Sequence, residues 1–165
     1  VPILVYNVPK FTGLNIAPTL VARLAEHPKI MGVKDSAGDI GQLIEIIRLT
    51  PPDFEVLVGN APAYYSALGV GAIGAVLALA NVAPRECVAI KELFDQGKLD
   101  EARALHFRLM PVGRAVTSQF GIGGLKAALD LLGYYGGQPR SPLFYPSPQE
   151  VEEIRHILRE AELLT

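Results

Sequence analysis

Lys34 and Tyr6 are the two residues whose types and spacing are best suited to chemistry. Lys34 ends the strand-like run 29–34, and Tyr6 ends a similar run that begins at residue 2. Turn-forming residues follow both runs, so we expect each side chain to stand at the C-terminal end of a strand. Catalytic groups gather at that edge of parallel α/β folds. An amine beside a phenol there indicates imine formation with a carbonyl compound, assisted by proton transfer.

Each residue alone also has a purely structural interpretation. A Lys at a strand end is usually a solvated side chain, and a Tyr commonly closes a core with its hydroxyl in water. The small residues Ser36, Ala37 and Gly38 follow Lys34 and leave room for a ligand. Asp35 could orient Lys34, but an Asp that begins a turn is the commoner interpretation. The pair of Lys and Tyr therefore favours covalent chemistry more than either residue does alone.

The elements that position these residues alternate between strands and helices. Apolar runs predict strands at 2–6, 29–34, 54–58 and 73–79, and helical periodicity predicts helices at 18–27, 39–49 and 62–68. Asp39 is the expected N-cap of the second helix, with Ile40, Leu43, Ile44 and Ile47 facing the core. Mostly continuous apolar strands are typical of parallel sheets that are covered on both faces.

After residue 84 the pattern predicts helices only, at 84–96, 99–117, 124–132 and 147–163. Pro111 is expected to kink or break the second of them. Ser147 and Glu150 match a capping box at the start of the last one. His106 and His156 lie in charged helices, and we expect both at the surface.

Composition and motifs argue against several classes of function. The chain has 165 residues, a net charge of −2 and no basic block, which does not suggest nucleic-acid binding. No apolar run reaches the roughly 18 residues of a membrane span. Residues 69–74 match a dinucleotide-binding pattern, but a helix precedes them and a strand follows, the reverse of that motif's context. The histidines are widely separated, so we predict neither a metal site nor a cofactor. The single cysteine, Cys87, fits a reducing compartment, and we expect a cytoplasmic protein.

Four strands followed only by helices are unusual as a complete fold. A doubly wound four-stranded sheet remains an alternative. The sequence also opens directly in a strand, as though it belonged to a longer protein. We therefore predict an α/β fold that forms the C-terminal half, strands 5 to 8, of a TIM (β/α)8 barrel. Residues 1–83 would form the half-barrel. Residues 84–165 would form the last barrel helix and a C-terminal helical extension.

Two motifs surround the candidate residues: Tyr6-Asn7-Val8-Pro9-x-x-Thr12-Gly13 and Gly32-Val33-Lys34-Asp35-Ser36-x-Gly38-Asp39. At this spacing they resemble the dihydrodipicolinate synthase / N-acetylneuraminate lyase family of class I aldolases. Segments 56–59 and 74–82 resemble the family's last two barrel strands. The resemblance covers essentially the whole chain, but only the second half of a family member.

The resemblance implies a role for each residue at the strand ends. Lys34 would form a Schiff base with a 2-oxo acid, and Tyr6 would shuttle protons. Gly59 and Val76 would border the pyruvyl group, and Ser36 would line the distal part of the site. The family's carboxylate-binding Gly-Thr-Thr/Ser loop belongs to the other half-barrel, which the complete enzyme would need. By resemblance the enzyme would be a homo-oligomer, with a tetramer expected.

The expected aldehyde partner depends on Phe11. Dihydrodipicolinate synthases typically carry an Arg five residues after the Tyr, where it binds the carboxylate of the aldehyde substrate, and Phe offers no such bidentate contact. Segments 120–126 and 133–137 resemble 4-hydroxy-2-oxoglutarate aldolase instead. We therefore expect cleavage of 4-hydroxy-2-oxoglutarate into pyruvate and glyoxylate. The alternatives are dihydrodipicolinate synthase, a sugar-acid aldolase of the same family, and a non-catalytic half-barrel that serves as a structural module.

Overall fold

The computed structural model describes residues 1–165. The chain divides into two compact units, Val1–Leu77 and Ala78–Thr165. The first unit contains the sheet, and the second contains helices only. None of the helices combines the length and the apolar character that crossing a membrane requires.

The first unit is built on a parallel four-stranded sheet. Its strands are β1 (Ile3–Asn7), β2 (Ile30–Asp35), β3 (Glu55–Val58) and β4 (Gly74–Ala75). They lie side by side in chain order, β1-β2-β3-β4, and every neighbouring pair is parallel. Successive βα units produce this arrangement, because each crossover returns the chain to the same end of the sheet. The predicted α/β fold with a parallel sheet is confirmed.

Helices connect the strands of this unit. They are α1 (Pro9–Thr12), α2 (Pro18–Ala25), α3 (Ile40–Leu49) and α4 (Tyr64–Gly69). The predicted N-cap of α3 is confirmed, because the Asp39 side chain accepts a hydrogen bond from the Gln42 backbone N–H. The predicted core face of α3 is partly wrong. The helix buries Gln42, Leu43 and Ile46 and leaves Ile44 exposed, since its contacts with α2 and the sheet determine the buried side.

The fourth strand is shorter than the predicted range 73–79. Ladder hydrogen bonds join Ile73 N–H to the Val56 carbonyl and Val76 N–H to the Val58 carbonyl, and the chain then enters a 3₁₀ turn at Leu79–Asn81. Strand β3 ends at Val58 and offers no further partner for a longer β4. The glycine-rich segment before β4 forms a helix-to-strand turn in which Gly71 has a φ of +106°. That backbone conformation favours glycine.

The two faces of the sheet differ in burial. On one face the strand residues pack against helices, and Val33, Val56 and Val58 are buried. On the other face, which we call the open face, Leu4 is 43% exposed and Tyr6 and Val76 are each 49% exposed. The expectation of a sheet covered on both faces is therefore wrong for this chain. Period-two alternation along each strand explains why neighbouring residues fall into such different environments.

The second unit contains helices α5 (Pro84–Asp95), α6 (Leu99–Arg114), α7 (Gly121–Leu131) and α8 (Pro148–Glu160). Helix α6 continues past Pro111 to Arg114, so Pro111 does not break the helix, and a π-helical turn follows at Ala115–Gln119. The alternative, a kink at Pro111, stays a prediction. The predicted capping box of Ser147 and Glu150 is confirmed. His106 is 5% exposed, which corrects its expected surface position. It lies on the buried stripe of α6 with Leu109 and Val112.

Candidate active site

Tyr6 and Lys34 are cross-strand neighbours at the C-terminal ends of β1 and β2. The sheet register pairs Tyr6 with Lys34, and both side chains lie on the open face. The Lys34 Nζ atom lies over the Tyr6 ring, 4.0 Å from its centroid. This distance is typical of a cation–π contact. The structure therefore brings together the two residues that the sequence singled out, with the amine directly beside the phenol.

The surroundings of Tyr6 make its phenol more acidic than an ordinary tyrosine. The Ser36 hydroxyl lowers the pKa of Tyr6 most, and Lys34 lowers it further through hydrogen bonding and its positive charge. Partial burial opposes these effects, but the net shift of the pKa is downward. A phenol with a lowered pKa exchanges protons more readily near neutral pH. The cause is local, since both neighbours come from the end of β2 and the residues just after it.

Ser36 and Gly59 complete the immediate surroundings of Lys34. The Ser36 Oγ atom is buried and makes no hydrogen bond of standard geometry with the protein. A Cβ atom built on Gly59 would lie 1.7 Å from Ser36 Oγ and 2.9 Å from Lys34 Cε. Position 59 must therefore lack a side chain for Ser36 and Lys34 to hold their positions. The backbone N–H of Gly59 also donates to the Asp35 carbonyl at 2.7 Å, which ties the end of β3 to β2.

Val76 lies on the same open face but farther along the sheet from Tyr6 and Lys34. It follows β4, and β3 separates that strand from β2. Two strand spacings amount to about 10 Å. The structure thus groups Tyr6, Lys34, Ser36 and Gly59 closely and places Val76 at the side of this group.

A polar network behind the site is absent from the sequence-based expectations. Asp35 lies within β2 and is fully buried, so its interpretation as the start of a turn is wrong. Its Oδ1 atom accepts hydrogen bonds from the side-chain amides of Asn7 and Gln42. Asn15 joins the network through Asn7 and Gln42. Strand alternation could have indicated that Asp35 is buried, because the residue that follows Lys34 in a strand must point to the opposite face of the sheet.

Phe11, the residue on which the substrate expectation rests, is 79% exposed in the short helix α1. The neighbouring Lys10 places its Nζ atom 5.9 Å from the centroid of the Phe11 ring. A cation is therefore present next to the position, although not at it.

No group of three or more His, Cys, Asp or Glu side chains lies close enough together to hold a metal ion.

Comparison with known proteins identifies the family. The model of the dihydrodipicolinate synthetase family matches residues 1–161. The 4-hydroxy-tetrahydrodipicolinate synthase of Archaeoglobus fulgidus is 38% identical over 165 residues, which make up 100% of this chain and 57% of that protein. The chain thus spans somewhat more than half the length of this relative.

Solved structures agree with the sequence match. The dihydrodipicolinate synthase of Thermotoga maritima is similar with a TM-score of 0.91 and 34% identity, covering 99% of this chain and 57% of that one. The E. coli K12 protein YagE, of the dihydrodipicolinic acid synthase family and solved in complex with pyruvate, also gives a TM-score of 0.91. Its identity is 25%, and the match covers 99% of this chain and 57% of YagE. The chain belongs to the dihydrodipicolinate synthetase family.

Proposed function

We propose that this chain carries the Schiff-base-forming site of a class I carbon–carbon lyase that acts on pyruvate-type 2-oxo acids. The observation that supports this most is the contact between Lys34 and Tyr6 at the C-terminal ends of two neighbouring parallel strands. An amine held there is a nucleophile for a carbonyl carbon, and a phenol of lowered pKa beside it is a proton carrier. Membership of the family and the likeness to a protein solved with pyruvate point in the same direction.

In this proposal the sheet is strands 5 to 8 of a (β/α)8 barrel, and its open face is the barrel interior. Residues 1–83 form the half-barrel, and residues 84–165 form the last barrel helix and the C-terminal extension. Strands β1 and β4 are the two edges of the sheet, and four further βα units would pair with them. They would also cover Leu4, Tyr6 and Val76, which are half exposed here. The share of about 57% of a relative's length leaves room for such units.

The chemistry proceeds in balanced steps. The neutral Lys34 amine adds to the C2 ketone of the substrate, and the Tyr6 phenol donates the proton with which water leaves, so that a protonated imine and a Tyr6 phenolate result. The iminium accepts electrons as the C3–C4 bond breaks, while the Tyr6 phenolate takes the proton of the C4 hydroxyl and the aldehyde leaves. The Tyr6 phenol then protonates the enamine at C3. Water hydrolyses the protonated imine to pyruvate and free Lys34, and the proton released in this step restores the Tyr6 phenol. Ser36, whose hydroxyl is buried beside Tyr6, would bind the distal part of the substrate, and Gly59 and Val76 would border the pyruvyl group.

For the substrate we propose 4-hydroxy-2-oxoglutarate, which would yield pyruvate and glyoxylate. Phe11 argues against aspartate semialdehyde, because its exposed ring offers no charge to the carboxylate of that substrate. The resemblance of segments 120–126 and 133–137 to 4-hydroxy-2-oxoglutarate aldolase supports the choice. The second candidate is 4-hydroxy-tetrahydrodipicolinate synthase, the name of the Archaeoglobus relative. Lys10, which lies beside Phe11, would then supply the missing positive charge.

Homotetramer formation and a cytoplasmic location remain predictions.

Borohydride reduction tests the enzyme class. The complete protein is incubated with pyruvate and borohydride, digested and mapped by mass spectrometry. A pyruvyl-derived mass on Lys34, and on no other lysine, is expected. Absence of label from every lysine would support the non-catalytic alternative. Lys10, exposed in the same unit, is the internal control for random modification.

A kinetic comparison tests the substrate. We expect kcat/KM for cleavage of 4-hydroxy-2-oxoglutarate to exceed kcat/KM for condensation of pyruvate with aspartate semialdehyde. A preference for the semialdehyde that disappears in Lys10→Ala would establish the second candidate.

The 165-residue chain alone is expected to be inactive, since the rest of the barrel would supply the carboxylate-binding loop.

A further inference from the structure

The buried network behind the site has a geometry that goes beyond simple packing. Asn7 and Asp35 are the last residues of β1 and β2 and are register partners, directly after Tyr6 and Lys34. Because strand residues alternate between faces, Asn7 and Asp35 point away from the open face. Both are almost fully buried, with exposures of 2% and 0%. Two polar side chains thus lie immediately behind the two reactive ones.

The network joins four separate segments of the chain. Asp35 Oδ1 accepts from Asn7 Nδ2 and from Gln42 Nε2, the latter at 3.0 Å. Asn15 Oδ1 accepts from the same two amide groups, at 2.8 and 3.2 Å, and Asn15 donates to Gln42 Oε1 at 2.7 Å. Asn7 Oδ1 accepts from the Ile16 backbone N–H at 3.1 Å. Both amide hydrogens of Asn7 and of Gln42 are used. The ends of β1 and β2, the loop after α1 and the first turn of α3 are therefore tied together.

Burial of the Asp35 carboxyl group behind the strand ends is energetically unfavourable. None of the ion pairs in the structure involves it, and its buried Oδ2 atom accepts no hydrogen bond. Burying a carboxyl group without full compensation destabilises a fold. An apolar side chain would pack against α3 at lower cost, but it could not accept the two amide donors. The feature that Asp35 adds is thus a shared acceptor that fixes two strand ends relative to each other.

We propose that Asp35 is a positioning residue, which acts with Asn7 and Gln42 to hold the Lys34 amine against Tyr6. The inference rests on the proposed function of that pair. Strand ends fray unless side chains or neighbouring strands hold them. Loss of the shared acceptor lets the ends of β1 and β2 separate, and the amine then leaves the position from which it reacts. A displacement of about 1 Å in a reacting group can cost about 100-fold in rate.

The test compares Asp35→Ala with Asp35→Asn in the complete protein. An Asn at position 35 keeps an oxygen that accepts from both amides, whereas Ala does not. We expect Asp35→Ala to lower kcat by about 10- to 100-fold with KM for the 2-oxo acid nearly unchanged. Asp35→Asn should restore kcat to within a few fold of the wild type. If Asp35→Ala does not fold, Asn15→Ala, which removes an exposed member of the network, should show a smaller loss of kcat in the same direction.

The control is Thr50→Val, which removes a hydrogen bond to the Ile46 carbonyl at the other end of α3 and should leave kcat unchanged. The proposal is overturned if Asp35→Ala and Asn15→Ala keep wild-type kcat, or if Asp35→Asn is as slow as Asp35→Ala, since the charge and not the shared acceptor would then matter.

A separate readout distinguishes failure of this proposal from failure of the proposed function. If the wild type forms no imine with pyruvate, the network is tested through the rate at which acetic anhydride labels Lys34 relative to Lys10. Asp35→Ala should change that ratio by about threefold or more and Asp35→Asn should not, as expected when a reactive group loses its fixed position. An unchanged ratio in Asp35→Ala would overturn the positioning role even then.

Discussion

The two faces of the four-stranded sheet are made from alternate residues of the same strands, yet they differ in almost every property. The helix-facing side buries valines and, at its C-terminal edge, a carboxyl group held by amides. The open face exposes apolar residues such as Leu4 and Val76 and carries the amine and the phenol. One row of side chains packs against the helices, while the next row carries the amine and the phenol on an uncovered surface.

The open face also has the composition of an interior. Apolar side chains left half exposed on a sheet with two unpaired edges favour association with further strands. The two faces should therefore respond differently to substitution: changes on the open face should affect reactivity, and changes on the helix-facing side should affect stability.

The largest effect is expected on the open face from Lys34→Ala. Without the amine no covalent intermediate forms, so kcat/KM should fall by on the order of 10⁴-fold or more. Steady-state kinetics on the complete protein measure this. Lys10→Ala removes an exposed lysine of the same unit, and its imine formation with pyruvate should match the wild type. Substantial activity in Lys34→Ala would remove the reason for treating the open face as a reactive surface.

Tyr6→Phe should come second. The substitution keeps the ring that contacts Lys34 Nζ and removes only the hydroxyl. Loss of one acid–base group typically lowers a rate by about 10²–10⁴-fold, so kcat should fall by that order. Trapping of pyruvate by borohydride should suffer less than complete turnover. A variant with wild-type kcat would mean that Tyr6 only shapes the open face.

Gly59→Ala should follow with a loss of about 10-fold or more in kcat, because the added methyl group displaces Ser36 and the Lys34 side chain. Gly69→Ala is the matched control, since a Cβ there meets nothing within 4 Å. The two variants are compared by kinetics and by thermal unfolding. If Gly59→Ala is as active as Gly69→Ala, the crowding around Lys34 does not limit the reaction.

Two valine substitutions, one on each face of the sheet, show how much each face contributes to the free energy of unfolding. Val56 is buried on the helix-facing side, and Val76 is half exposed on the open face. In the 165-residue chain, Val56→Ala should lower the free energy of unfolding by about 1–3 kcal/mol. Val76→Ala should change it by less than about 0.5 kcal/mol. Urea denaturation measures both. Equal losses would show that the open face is packed in solution.

The smallest expected effect is a change in the pH at which the Tyr6 phenol titrates. The pKa of Tyr6 is lowered, first by Ser36 and then by Lys34, so its phenolate should appear at a lower pH than that of an ordinary tyrosine, whose pKa is about 10. Ultraviolet difference titration should show an early tyrosinate transition that Tyr6→Phe abolishes. Ser36→Ala should move it to higher pH. Tyr135→Phe, which removes an exposed phenol of the other unit, should leave it in place. An early transition that survives Tyr6→Phe would contradict the lowered pKa of Tyr6.

Local patterns made much of the fold, and the position of Tyr6 and Lys34 at neighbouring strand ends, predictable from sequence. Apolar runs located the strands, the chemistry of Asp39 and Ser147 located two helix starts, and the residues at the strand ends pointed to Tyr6 and Lys34. These features depend on residues close together in the sequence. The parallel direction of the sheet followed from the alternation of strands and helices.

The features that sequence reasoning missed depend on partners distant in the chain. Strand β4 is short because β3 ends, and Ile44 is exposed because α3 turns its other side to its neighbours. The burial of Asp35 requires amides from β1 and α3. His106 was detectable, since it shares a helical spacing with Ala102 and Leu109, but its charged neighbours obscured that stripe.

A crystal structure of the complete protein soaked with pyruvate is the most direct test of the central claim, that the open face carries an imine-forming lysine. The expected result is continuous density from Lys34 Nζ to C2 of pyruvate. The Tyr6 hydroxyl should lie on the same side, and Asp35 should remain bound to Asn7 and Gln42 behind the strands. Pyruvate bound elsewhere, or Lys34 paired with a carboxylate from a neighbouring strand and unmodified, would contradict it.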